Sequence, residues 1–113
     1  MHSRSVPGAV VPAGSRLRLD LNSPEFQDVF FRLPVAELKQ VATSLARLRE
    51  LDWNSLYRHT GYNWELIDHV KGPGGANVYS LRLSQKIRAV GYRDGEFLRL
   101  VSLHPDHDSA YGR

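Results

Sequence analysis

Apolar and polar residues alternate strictly over residues 16–21 (RLRLDL), the period of a half-buried strand. The period then changes. Asn22-Ser23-Pro24-Glu25 supplies a helix start, with Ser23 as N-cap and Pro24 at the first helical position. Phe26, Val29, Phe30 and Leu33 follow at helical spacing and form a core-facing stripe. Pro34 ends that helix, because its ring cannot continue the turn behind it, and opens a second one. The second helix is expected to bury Leu38, Val41, Ala42, Leu45 and Leu48, with Lys39, Arg47, Arg49 and Glu50 outward. Residues 51–70 carry no clean period. Thr60-Gly61 interrupts them, and short helical turns are expected near 54–58 and 64–68. Residues 71–77 (KGPGGAN) read as a plain loop; no Gly-Lys-Ser/Thr follows, which excludes a phosphate-binding P-loop.

Strand-like runs return over residues 78–111. Two of them are joined by Asp94-Gly95, a strong hairpin signal because a type I′ turn needs positive φ at both central positions. Centring the turn on that dipeptide sets Arg93 opposite Glu96, Tyr92 opposite Phe97, Val90 opposite Arg99, Arg88 opposite Val101 and Lys86 opposite Leu103. One face then carries Ile87, Ala89, Gly91, Leu98 and Leu100, a plain core face. The other carries Lys86, Arg88, Val90, Tyr92, Phe97, Arg99, Val101 and Leu103, mixing cations with aromatic and apolar groups. The expected class is α+β: an N-terminal strand, a helical hairpin, then an antiparallel three-stranded meander with the helices on one face. Residues 1–15 read as a flexible tail and 16–113 as a single domain.

Charge sharpens this picture. The chain has 113 residues and a formal net charge of +3, from 15 basic and 12 acidic side chains. Residues 78–101 hold Arg82, Lys86, Arg88, Arg93 and Arg99 against Asp94 and Glu96, so the whole excess lies on the candidate sheet. Such a surface suits phosphates or an acidic partner, and equally a solvated strand face. There is no cysteine, which excludes disulfide and thiolate chemistry and fits a reducing cytoplasm. No apolar run approaches the roughly 20 residues of a membrane span, and the N-terminal stretch has no signal-peptide core.

Chemistry concentrates after the last strand. His104-Pro105-Asp106-His107-Asp108 resembles a metal set in composition, but zinc needs three or four ligands in tetrahedral array, and these histidines share no helical face. Acid–base cleavage of RNA fits the residue types better. It needs one group to take the 2′-OH proton, another to protonate the leaving 5′-oxygen, and cations to hold the phosphate. Histidine titrates near neutrality, and arginine is permanently charged with a fork that matches phosphate oxygens. Arg82, Arg88, His107 and Tyr111 make up the candidate catalytic set, with Lys86, Arg99 and His104 as RNA-binding residues. His107 and Tyr111 are four apart, one helical turn. No cofactor or metal is called for.

The pattern of Tyr79-Ser80-Leu81-Arg82-Leu83, Ile87-Arg88-Ala89, Asp94-Gly95 and His107-Asp108-Ser109-Ala110-Tyr111 resembles the RelE/ParE toxin superfamily. The resemblance implies the toxin of a type II toxin–antitoxin system, a ribosome-dependent mRNA endoribonuclease that inhibits translation. It implies an antitoxin protein, the ribosome and mRNA as partners. By this resemblance Arg88 matches the arginine that contacts the scissile phosphate, and Arg82 a basic position on the preceding strand. His107 falls where YafQ-like members place a catalytic histidine, and Tyr111 matches the closing aromatic residue. Ser80 stands where RelE itself has a lysine. ParE-like members share the scaffold and poison DNA gyrase without cleaving RNA, and a member that only binds an antitoxin is a third reading.

Overall fold

The computed structural model describes residues 14–105. Strand β1 (Arg18–Asp20) leads into helix α1 (Pro24–Phe30), α2 (Val35–Leu48) and α3 (Trp53–Arg58). Strands β2 (Glu65–Lys71), β3 (Asn77–Arg82), β4 (Ile87–Asp94) and β5 (Phe97–Pro105) follow, with a 3-10 turn at Pro73–Gly75 between β2 and β3. The five strands form one sheet in the order β1-β5-β4-β3-β2. β2 to β5 are antiparallel neighbours, while β1 runs parallel to β5, with Leu19 opposite Leu98.

Local chemistry explains the helix ends. Ser23 caps α1, its hydroxyl accepting from the Phe26 amide at 3.4 Å, and Pro24 occupies the first turn where no amide donor is needed. Pro34 stands at the N-terminal boundary of α2 with extended backbone, and Asp52 caps α3 by accepting from the Ser55 amide at 2.8 Å. The three helices bury one face of the sheet. Phe26, Val41, Leu45, Leu48, Trp53 and Leu56 from the helices pack with Leu81, Ile87, Ala89, Leu98, Leu100 and Leu103 from β3 to β5. Each of these is nearly or fully removed from water, so the helices and sheet stand or fall together.

Several expectations need correction. The sheet has five strands rather than a separate N-terminal strand and a three-stranded meander, because residues 65–71 form an edge strand instead of the expected helical turn. Glu65 pairs with Ser80 and Leu66 with Tyr79, so the ladder of β3 overrides the weak local preference. The loop expected at 71–77 is the β2–β3 connection and contains the 3-10 turn. Helix α2 buries a narrower stripe than expected: Val41, Leu45 and Leu48 are inside, Leu38 is half-buried and Ala42 is exposed.

The β4–β5 register also differs. Asp94 pairs with Phe97, Arg93 with Leu98, Tyr92 with Arg99 and Gly91 with Leu100, two residues beyond the expected pairing. Gly95 has φ of 63°, and Gly95-Glu96 rather than Asp94-Gly95 occupy the turn. Asp94 stays in the strand, where its carboxylate accepts from Arg99 Nε at 2.8 Å. Beyond Gly91 the register shifts again: Val90 pairs with Ser102, Ala89 with Leu103 and Arg88 with His104. Val101 is the extra residue, a β-bulge.

Candidate nucleic-acid interface

The bulge decides which side chains meet on the solvent-facing side of the sheet. An inserted residue reverses the alternation of everything after it. Leu103, expected among the cations opposite Lys86, is instead 2% exposed in the core beside its register partner Ala89. Ser102 and His104 move to the outer face. Gly91 makes the bulge sterically feasible: a Cβ built there would lie 2.7 Å from the Arg99 carbonyl oxygen. The Val101 carbonyl accepts the Ser23 hydroxyl at 2.7 Å, so the α1 N-cap ties the bulge to the helical layer.

The result is a row across three strands. Arg82 of β3 is the register partner of Arg88 of β4, and Arg88 is the register partner of His104 of β5. Directly opposed residues lie about 5 Å apart at Cα, which puts two guanidinium groups and an imidazole within reach of one phosphate. The β3–β4 turn holds the row in place. The Ser84 hydroxyl accepts from the Ile87 amide at 3.1 Å and the Lys86 amide at 3.3 Å, and the Leu83 amide donates to the Ile87 carbonyl at 2.8 Å. The Arg82 amide donates to the Tyr62 carbonyl at 2.6 Å, tying the end of β3 to the segment before β2. Lys86 lies in this turn and is exposed, so it adds a third cation at the same end of the sheet.

The cations of the row are unpaired among the described residues. Among the described residues neither Arg82, Lys86 nor Arg88 forms an ion pair, whereas Arg16, Arg18, Arg32 and Arg99 all do. Like charges directly opposite on neighbouring strands are destabilising, and among the described residues no ion pair relieves Arg82 or Arg88. His104 is half-buried, and its Nε2 lies 2.8 Å from the Ser102 hydroxyl. Burial pushes its pKa below the ordinary value, and the nearby Glu25 charge only partly opposes this. Burial thus favours the neutral ring, which can hydrogen-bond through one nitrogen as donor and the other as acceptor.

Arg99, expected to bind RNA, sits elsewhere on the same face. It is opposite Tyr92, four residues and roughly 13 Å along β4 from Arg88. Its guanidinium donates to Asp20 at 2.7 Å and to Asp94 at 2.8 Å, and it lies over the Phe97 ring at 4.7 Å. The hydrogen bond to Asp20 and that to Asp94 raise its already high pKa further. Burial acts to raise the Asp20 pKa, but hydrogen bonds from Arg99 and the Asn22 amide outweigh it and hold the carboxyl low. His107 and Tyr111, with Asp106 and Asp108, lie outside the described residues.

The alternation rule applied without the bulge put Leu103 on the basic face and left His104 in a reserve role beyond it. The glycine at 91, in a strand otherwise free of small outliers, was the signal that a close backbone approach occurs there.

Helices packed on one face of a mixed sheet define an α+β architecture that recurs in a known structure. No family model matches the sequence, and no curated protein matches it. In structure the chain is similar to a chain of the crystal structure of the archaeal RelE–RelB complex from Pyrococcus horikoshii OT3, with a TM-score of 0.57 and 15% identity. The alignment covers 82% of this chain and 98% of that one. The fold is RelE-like.

Proposed function

We propose that this chain is the toxin half of a toxin–antitoxin pair and inhibits translation by cutting mRNA on the ribosome. The observation that carries the reading is the Arg82–Arg88–His104 row, a cluster of unpaired cations beside a neutral imidazole on a RelE-like sheet. In this reading Arg82 and Arg88 clamp the scissile phosphate and neutralise the charge that builds on it during attack by the 2′-oxygen. The sequence assigns His107 as general base or acid and Tyr111 as proton donor or stacking platform, and His104 lies beside Arg88 as a further acceptor or RNA contact. Lys86 draws the backbone in by charge, so binding weakens as salt rises. Arg99 serves chiefly to hold β1, β4 and β5 together through its two carboxylates. The partner is an antitoxin whose disordered segment folds across this sheet or its helices. The similarity to a chain of a RelE–RelB complex supports that pairing.

Induced expression followed by primer extension on cellular mRNAs tests the reading. Codon-phased cuts in the wild type that vanish in Arg88→Ala and His107→Ala support it. DNA damage without cuts would point instead to a gyrase-directed toxin, and an inert wild type to an antitoxin-binding relative without activity.

A further inference from the structure

A second basic surface adjoins the row. Lys39, Thr43 and Arg47 are spaced four apart on α2, about 6 Å of helix rise per step, and so form one ridge. Between α2 and the β3–β4 turn lie two depressions of about 240 and 390 Å³. They share Ser44, Arg47, Leu83 and Ser84, so they form one continuous groove. Lys39 lines its outer end and Arg82 its inner end, and among the described residues no carboxylate lines either part. Lys39, Arg47 and Arg82 are exposed and form no ion pair among the described residues. His59 also lines the inner end. Its Nδ1 accepts from the Gly61 amide at 3.1 Å, which leaves Nε2 as the protonated nitrogen of the neutral ring and a hydrogen-bond donor.

Resting on the nuclease reading above, we infer that this groove carries the sugar–phosphate backbone of the same single-stranded RNA away from the cut site. Arg82 belongs to both the row and the groove, so one strand held at Arg88 continues into it without leaving basic surface. Arginine forks, hydroxyl groups and an imidazole N–H are donors suited to non-bridging phosphate oxygens. An acidic peptide that folds on docking needs side chains free to anchor it, and two of the groove's apolar residues are not free. Its Tyr62 and Leu83 are 6% and 4% exposed, already committed to the core. The groove thus adds affinity and polarity to RNA binding and takes no part in bond cleavage.

Fluorescence anisotropy with a fluorescein-labelled 2′-O-methyl RNA oligonucleotide, which cannot be cut, tests the inference on the full chain. The double variant Lys39→Gln/Arg47→Gln is expected to bind roughly tenfold more weakly at low salt, and to lower the slope of log K against log salt by about 1.4. Its melting temperature should match the wild type, since both side chains are exposed and unpaired. If Arg88→Gln weakens binding and the double variant does not, the groove assignment is overturned while the row keeps its role. If neither change matters, or the wild type does not bind, the groove assignment is overturned, while the nuclease reading stands or falls by primer extension on cellular mRNAs. Retained RNA affinity in the double variant, with loss of binding to poly-glutamate, would overturn the assignment in favour of an acidic protein.

Discussion

Arg88 lies directly across from His104 on the neighbouring strand, although uniform alternation from the Asp94-Gly95 signal would have placed Val101 there. The pairing exists because β5 carries one extra residue between the partners of Gly91 and Val90. With Arg82 on the other side of Arg88, the strands themselves fix two fixed charges and one titratable ring in a line. Side-chain flexibility has little say in that arrangement, since strand spacing sets it. A site positioned by the ladder is held more firmly than one hung on a loop.

Removing the charges should harm function and spare the fold. Arg82→Ala and Arg88→Ala each eliminate an opposed like-charge pair, worth up to about 1 kcal/mol in favour of the variant. Growth and translation should recover on expression of either variant, while urea denaturation shows a midpoint equal to or above that of the wild type. Full toxicity in both would remove these arginines from the mechanism.

His104 gives a pH signature. Its folded pKa lies below the ordinary value of 6.5, so the unfolded chain takes up the proton first as pH falls. The ring therefore contributes stability that is complete above that value and is lost as pH falls towards the folded pKa. Chemical denaturation between pH 7.5 and 5 should show falling stability in the wild type and a shallower fall in His104→Gln. Identical pH profiles would show that the ring is not held neutral by the fold.

Gly91 should be intolerant of even one methyl group. A Cβ would sit 2.7 Å from the Arg99 carbonyl, a backbone atom that cannot swing aside. Gly91→Ala is expected to cost about 1–3 kcal/mol, the usual range for overpacking. The denaturation midpoint reads this directly. Gly95→Ala, at φ of 63° in open space, should cost about 1 kcal/mol through backbone strain alone.

Ser23 and Arg99 join the helical layer and β1 to β5. Ser23→Ala loses the cap on Phe26 and the hydrogen bond to Val101, together about 1–2 kcal/mol. Arg99→Gln gives up two partly exposed ion pairs, about 1 kcal/mol at neutral pH. Because Arg99 holds the Asp20 pKa below its usual 3.8, the wild type keeps that contribution above this value and loses it as pH falls through the folded pKa. Thermal melts near pH 3 should thus show a smaller gap between the two proteins than melts at pH 7. A larger gap in acid would reverse the assignment.

Much of the framework was legible. The alternation at 16–21, the Ser23-Pro24 helix start and the break at Pro34 are local signals, and each produced its element at the expected place. What escaped was set by long-range pairing. Residues 65–71 have no decisive period of their own and become a strand because β3 presents an open edge. The hairpin was found but its register was not, since the turn uses a positive φ at Gly95 alone and Asp94 is held in the strand by Arg99. The candidate row was half legible: Arg82 and Arg88 share a face by simple parity, but His104 joins them only through the inserted Val101.

The insertion at Val101 means that the imidazole owes its side of the sheet to strand length as much as to residue type. A related chain lacking that residue would keep its histidine on the outer face, but one place earlier in the count, at the number Leu103 now holds. Comparisons that slide sequences past each other without a gap at this point would therefore pair an interior side chain with a surface one. Counting residues back to the nearest glycine facing the bend is the surer guide to which relatives own an equivalent group.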